Sequence, residues 1–338
     1  MLSSETSILR TGSHAVPDMP SLTIGDTTAR LPIIQGGMAV RISMAPLAGA
    51  VARAGGIGLI AGSGLEPDEM RNEVRAAHAI ADGGVVGVNI MVAIRKFKET
   101  VHAALEGGTN LLVCGAGFSR DVFQWAADAG VPVVPIVGSA RVATLSQRFG
   151  AAAVIVEGVE AGGHLGTDRT MLDLLPEIVE AVDIPVIGAG GVVTGSDIRR
   201  ALDGGAAGVQ MGSRFAATVE SSAPEDFKQM YVDATDDDIV IVKSPVGLPG
   251  RAIRNPFSQK MADGELPPIG RCISCLKKCG KEYCIMERLK MAQSGDVEGG
   301  LVFAGSSAAR VHDVPTVAEL MDRLVAEYAA SGKGSEDA

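Results

Sequence analysis

The chain of 338 residues is long enough for one large domain or for a barrel with an attachment. Its 46% apolar content and 43 glycines describe a globular protein rich in tight turns and exclude a disordered one. With 30 basic and 40 acidic side chains the net charge is −10 and no dense Lys/Arg run occurs, so neither nucleic acid nor an anionic membrane is an expected partner. No uninterrupted run of about eighteen apolar residues is present. Residues 1–20 carry no apolar stretch of the secretory kind and read as a loose tail, and a cytoplasmic location is the expectation.

Ser21 to Pro32 is predicted as a short hairpin turning at Gly25-Asp26. From there β-branched runs alternate with helical ones. Strands are expected over Leu31–Met38, Gly56–Gly62, Val85–Val92, Leu111–Gly117, Val131–Val137, Ala152–Gly158, Pro185–Gly191 and Gly208–Arg214. Helices are expected over Ser43–Ala54, Pro67–Ala81, Lys96–Glu106, Arg120–Ala129, Ala140–Phe149, Thr170–Val182 and Gly195–Leu202. Strands that are apolar on both faces, each followed by a helix, are the mark of parallel β/α units. Eight of them predict an α/β fold closed into a (β/α)8 TIM barrel rather than an open doubly wound sheet. The alternation stops after Arg214. Residues 215–299 are polar, proline-containing and irregular apart from a β-like run at Asp238–Lys243, and helical periodicity returns at Thr316–Ala329. The expected organisation is a barrel formed by residues 21–214 and 300–330, closed by a delayed eighth helix. Residues 215–299 would be a small second domain inserted over the barrel mouth, and Ser331–Ala338 a polar tail.

In a parallel barrel the reactive groups gather at the C-terminal ends of the strands. The strand over Ala152–Gly158 runs into a loop of small residues with glycines at 158, 162, 163 and 166 and one histidine, His164. Glycines there let the backbone come within van der Waals distance of a ligand. A lone imidazole beside them suits a flat cofactor and a proton to be moved. Other strand ends repeat the pattern: Gln35-Gly36-Gly37-Met38-Ala39, Gly62-Ser63-Gly64, Asn89, Cys114 to Gly117, Gly188 to Gly191, and Gln210-Met211-Gly212-Ser213. Gly190 and Gly191, followed by a helix start at Thr194-Gly195, are expected to offer N–H groups and a positive dipole end to a phosphate, and Gly212 and Ser213 to add donors. Cys114 reads as a buried structural thiol. Glu160 reads either as a support for His164 or as an exposed loop carboxylate.

Taken in this order, residues 35–39, 54–60, 87–91, 157–166 and 189–191 resemble the nitronate monooxygenase (2-nitropropane dioxygenase) family, which includes the FMN-dependent enoyl-acyl-carrier-protein reductases of type II. The resemblance is dense over residues 31–214 and looser over 244–255 and 299–325. It implies a (β/α)8 barrel holding FMN without a covalent bond. Gly37 and Met38 would lie against the isoalloxazine, and Asn89 and Glu157 would hydrogen-bond its polar edge or ribityl chain. Gly162 and Gly163 would pass close to the flavin. Gly190, Gly191, Gly212 and Ser213 would hold the phosphate, with Gln210 and Met211 alongside. His164 matches the family's catalytic histidine. The implied activity is oxidation of an alkyl nitronate, or a similarly acidic carbanion, with O2. The alternative is an NAD(P)H-dependent reductase of an enoyl thioester, with an acyl carrier protein as partner and Arg251 and Arg254 meeting the anionic substrate or carrier. A mere surface loop with salt-bridged arginines is equally open, as is a homodimer.

Cys272, Cys275, Cys279 and Cys284 depart from that family pattern. They fall within thirteen residues as C-x2-C-x3-C-x4-C, which in a cytosolic chain argues for metal ligation rather than disulfides. An iron–sulfur cluster and structural zinc both suit such thiolates, and free or redox-exchanging thiols are the other reading. Lys277, Lys278 and Lys281 would offset thiolate charge.

Overall fold

Alternation along the strands is what closes the barrel. In a computed structural model that describes residues 19–270 and 272–332, a hairpin of β1 (Leu22–Ile24) and β2 (Thr27–Ala29) precedes six strands: β3 (Ile33–Gln35), β4 (Ile57–Ala61), β5 (Val85–Met91), β6 (Leu111–Gly115), β7 (Val133–Val137) and β8 (Val154–Glu157). A two-residue strand, β9 (Gly163–His164), stands outside the barrel, and β10 (Val186–Ala189) and β11 (Gly208–Met211) complete it. These eight strands pair in parallel, with β11 returning to β3, so the sheet has no edge. The expected (β/α)8 barrel is formed, each strand somewhat shorter than its apolar run. The tail expected over residues 1–18 and the end of the chain from 333 lie outside the described residues.

The period of two sorts each strand between two apolar layers. Ile34, Leu59, Val113, Val134, Ile155 and Ile187 fill the barrel interior together with Leu22 and Ile24 of the hairpin. Pro132 and Ala152 stand against Gly25 at the hairpin turn, so the hairpin plugs the end of the barrel where the strands begin. The opposite residues, such as Val154, Val156, Val186 and Val209, pack outward against the helices. Seven helices follow their strands in turn, from Ala45–Arg53 to Gly195–Asp203. The eighth, Val317–Gly332, packs on Gly195–Asp203 and Ala45–Arg53 and closes the ring, running through Ser331 and Gly332 where a tail was expected. Among the described residues no helix is long and apolar enough to cross a membrane.

The segment between β11 and that last helix holds more regular structure than its composition announced. It contains helices Glu225–Asp233, Pro256–Ala262 and Ile285–Gln293, and strands β12 (Ile239–Val242) and β13 (Gly250–Ile253). The three-stranded sheet has the order β12-β13-β9, so the segment adds its strands to the glycine loop of the barrel. Its apolar residues Val242, Ala252, Phe257, Leu276 and Tyr283 belong to the same buried cluster as Val88, Ile90 and Val101 of the barrel.

The tightest contact between the barrel wall and its helices is at Gly58 of β4, where a Cβ would lie 1.8 Å from the carbonyl oxygen of Ala48. Backbone at both sides leaves nothing to rotate away. Gly58→Ala is expected to destabilise the protein by about 3 kcal/mol or more, read from the urea midpoint. The exposed Gly270, whose Cβ would meet nothing within 4 Å, is the control, and its alanine variant should stay within about 0.5 kcal/mol of the parent.

Candidate active site

At the C-terminal ends of the strands the inward parity changes from apolar to polar. In β8, Ala153 and Ile155 belong to the interior layer, and Glu157 is the next residue of that parity. Asn89 in β5 and Gln210 in β11 hold the equivalent positions, between neighbours that face outward. All three line a cavity of about 250 Å³ at this end of the barrel. Its other walls are Gly37, Met38, Gly162, Gly163, His164, Gly190, Gly191, Gly212, Ser213 and the backbone at Met211, whose side chain packs outward. Every cofactor-site and catalytic residue expected from sequence is thus in one place.

The later segment supplies the walls that sequence reading missed: Phe227 and Tyr231 from helix Glu225–Asp233, Leu289 from helix Ile285–Gln293, and Leu301 and Phe303 from the stretch that bridges to Ala252. The apolar run Leu301-Val302-Phe303-Ala304, standing between polar stretches, is the signal that would have found the last of these.

His164 is held by main chain and side chain together. β9 pairs antiparallel with β13, Gly250 opposite His164 and Arg251 opposite Gly163, and Leu165 N–H donates to the Pro249 carbonyl at 2.8 Å. Its Nε2 lies 2.7 Å from the Ser244 hydroxyl oxygen, and its ring meets the edge of Phe303 at 5.2 Å between centroids. Burial holds the imidazole down at about 4, so it is neutral at physiological pH. Burial also pushes the Glu157 carboxyl up to about 7. The cavity is a place where charge is disfavoured in either sign.

Arg251 is turned to main chain, with the Glu160 carboxylate nearby. Its guanidinium donates to the carbonyls of Val159 and Ala161, the latter at 3.3 Å, and so braces the glycine loop. Arg254 donates to the Asp237 carbonyl. Glu160 neither supports His164 nor stands free: its carboxylate accepts from Met171 N–H at the start of helix Met171–Ala181. Cys114 is buried outside the cavity, with its thiol pushed up to about 12, as expected of a structural cysteine.

One expectation is corrected. The start of helix Gly195–Asp203 is largely closed to a phosphate, because the donors of Val193, Thr194, Gly195 and Asp197 are already taken. Val193 and Thr194 N–H donate to the Asp197 carboxylate, Asp197 N–H donates to the Thr194 hydroxyl, and Gly195 N–H donates to Glu327. The N–H groups of Gly190, Gly191 and Gly212, all at the cavity, have no acceptor within the protein. The iron–sulfur or zinc centre expected at Cys272, Cys275, Cys279 and Cys284 is not shown: among the described residues no group of three or more His, Cys, Asp or Glu side chains is placed to hold a metal ion. Cys275 still lies near enough to Cys284, Cys279 and Cys272 to feel their charge. Leu276 bridges to Ile94, Arg95 N–H donates to the Cys275 carbonyl, Cys284 stands at the start of helix Ile285–Gln293, and Cys272 and Cys279 are exposed. Lys277 donates to the Val92 carbonyl rather than balancing thiolates.

The nitronate monooxygenase family model matches residues 21–327, which is nearly the whole chain. The chain is 30% identical, over 87% of its length and 92% of the relative's, to (3aS,4S,5R,7aS)-5-hydroxy-7a-methyl-1-oxo-octahydro-1H-indene-4-carboxyl-CoA dehydrogenase of Mycobacterium tuberculosis. Among solved structures, FabK from Thermotoga maritima is 30% identical with a TM-score of 0.80, the match covering 90% of this chain and 94% of FabK. A nitroalkane oxidase from Streptomyces ansochromogenes is 26% identical with a TM-score of 0.78, covering 91% and 98% of the two chains. A closed parallel barrel, a polar ring at its C-terminal end and a loop histidine facing that ring agree with these likenesses, and the chain is an oxidoreductase belonging to the nitronate monooxygenase family.

Proposed function

We propose that this protein is an FMN-dependent oxidoreductase acting on an acyl thioester of the coenzyme A type, with His164 as its proton-transfer residue. The observation that carries the reading is a neutral imidazole and a set of unsatisfied hydrogen-bonding groups on one cavity. The fit to the flavin rests on three features. Gly190, Gly191 and Gly212 offer free N–H groups suited to a phosphate. The buried Gln210 Oε1 has no partner within the protein and such an acceptor is costly to leave unpaired. Asn89 reaches the cavity with its amide unbonded and carries both donor and acceptor.

When bound, FMN supplies a two-electron acceptor or donor. The chain contributes the rest. Glycine N–H groups hold the phosphate, apolar walls from the later segment exclude water, and His164 takes or returns the proton that accompanies the electron pair. The thioester class is supported by the full-length likeness to the coenzyme A dehydrogenase. A second reading, oxidation of an alkyl nitronate, is favoured by the likeness to the nitroalkane oxidase. Anaerobic mixing separates them: acyl-CoA substrates or pyridine nucleotide followed by an enoyl or oxo thioester should change the visible flavin band, and alkyl nitronate should not. Bleaching by nitronate alone overturns the thioester assignment, and a protein that takes up no FMN on reconstitution overturns both readings.

A Cβ at Gly212 would find only the Met38 sulfur, at 4.0 Å, so the space before it is open. Gly212→Ala is therefore expected to leave the melting temperature of the flavin-free protein within about 1 °C, on the scale of a neutral surface change. FMN should bind at least about tenfold more weakly, a change of about 1.4 kcal/mol, measured by fluorescence titration.

His164→Gln should keep FMN and lose turnover by about 10²- to 10⁴-fold, the range for removing a general acid or base. The active form of a histidine base is the neutral one. The acidic limb of kcat/KM should therefore fall as pH drops through about 4, with no His164 inflection at the ordinary imidazole value. An inflection near 7 would belong to Glu157 and should vanish in Glu157→Gln.

A further inference from the structure

The two arginines expected to meet an anionic substrate are turned to main chain, and among the described residues no Lys or Arg lines the cavity. A coenzyme A thioester carries its charge at the far end of a long neutral arm, so its phosphates would lie outside the cavity, at the rim. Cations stand there on the segment of the four cysteines.

That segment is pinned on two sides. On one, Leu276 bridges to Ile94, Lys277 N–H donates to the Ala93 carbonyl at 2.9 Å, and Arg95 N–H donates to the Cys275 carbonyl at 2.9 Å. Ile94 follows the wall residue Met91 by three positions, which is at most about 11 Å of chain. On the other, Gly280 N–H donates to the Pro245 carbonyl at 2.8 Å. Pro245 follows Ser244, whose hydroxyl oxygen lies 2.7 Å from His164 Nε2. Residues 277–280 therefore run from the end of β5 to the loop beside the histidine.

Lys278 and Lys281 stand at the two ends of this run, separated by at most about 11 Å of chain. Lys243 is held to the same segment by the Tyr283 hydroxyl, which donates to its carbonyl at 2.9 Å. All three lysines are exposed, and none has an ion pair or a side-chain hydrogen bond among the described residues. Arg95, also exposed, spends its Nε–H on the Ser274 carbonyl at 3.0 Å and keeps its other donors free. The neighbouring Lys96, by contrast, is paired with Glu66. Glu282 is the one carboxylate between Cys272 and Cys284. On a chain of net charge −10 a polyanion is repelled by most of the surface, and a local group of unpaired cations is where it can settle.

We infer that Arg95, Lys243, Lys278 and Lys281 bind the 3′-phosphate and the diphosphate of a coenzyme A thioester, whose pantetheine arm passes His164 into the cavity. Lysines act on phosphate as point charges and need no fixed fork geometry, which suits exposed side chains on a pinned backbone. The inference rests on the thioester reading above, yet binding can be measured without turnover. If coenzyme A is held as described and no thioester reacts, the inference stands and that reading falls.

The test is calorimetry of the FMN-bound protein with coenzyme A, with dephospho-coenzyme A, which lacks the 3′-phosphate, and with pantetheine, which lacks the nucleotide. Affinity should fall in that order by about threefold or more at each step, and added NaCl should weaken the first two. Lys278→Glu/Lys281→Glu should bind coenzyme A about tenfold more weakly, a loss that vanishes with pantetheine. The same variant should raise KM for an acyl-CoA by a similar factor with little change in kcat. Arg53→Glu/Arg75→Glu makes the same change of charge at exposed positions on the outer helices and should alter neither. No measurable binding of coenzyme A, equal affinity for coenzyme A and pantetheine, or unchanged affinity in the lysine variant would overturn the inference. So would the same weakening in the arginine variant, or an acyl carrier protein that binds more tightly than coenzyme A.

Discussion

The short antiparallel pairing of Gly163–His164 with Gly250–Arg251 is what the site depends on. A loop as rich in glycine as residues 158–166 has no reason of its own to hold one conformation, because fixing each backbone unit costs about 1–2 kcal/mol. The pairing supplies the hydrogen bonds that offset this, and Arg251 adds its guanidinium to the carbonyls of Val159 and Ala161. One residue thus closes the loop through its main chain and through its side chain. The barrel's pairing does not involve the later segment's strands, whereas the loop carrying His164 takes its pairing from them.

The same segment sets the electrostatics. Phe303 covers one edge of the imidazole, and Leu289, Leu301 and Tyr231 complete apolar walls around the polar ring. The opposite shifts of Glu157 and His164 have this one cause, since a dry surrounding penalises a carboxylate and an imidazolium alike. Two groups that would carry opposite charges in water are both brought toward their neutral forms. A site so arranged favours proton transfers that begin and end without net charge on the protein, and it strengthens each remaining hydrogen bond to a bound anion.

The barrel was legible because eight runs were apolar in both parities, and the polar ring because Asn89, Glu157 and Gln210 break the inward parity at the strand ends. What escaped was long-range. β9 and β13 are too short to show a period, and their partners lie in remote sequence. The donors of helix Gly195–Asp203 looked free because one acceptor, Glu327, comes from the last helix, 132 residues on. Ser244 meets His164 across 80 residues with nothing around it to mark a partner. The four cysteines were read from spacing alone, which does not reveal that their segment is fastened along the loop after β5.

That placement gives the cysteine segment a structural reading. Leu276 is buried against the barrel, its bridge to Ile94 and the Lys277 bonds to Ala93 and Val92 fasten the segment to the end of β5, and Cys284 leads directly into the helix that carries Leu289 to the cavity. The segment is a strap from the outer surface of the barrel to the cavity wall. Burial and the neighbouring thiols of Cys284, Cys279 and Cys272 hold the Cys275 thiol above its ordinary value. Tyr283, immediately before Cys284, is anchored by the same strap. The wall residue Leu289 therefore takes its placement in part from contacts on the outer face of the barrel.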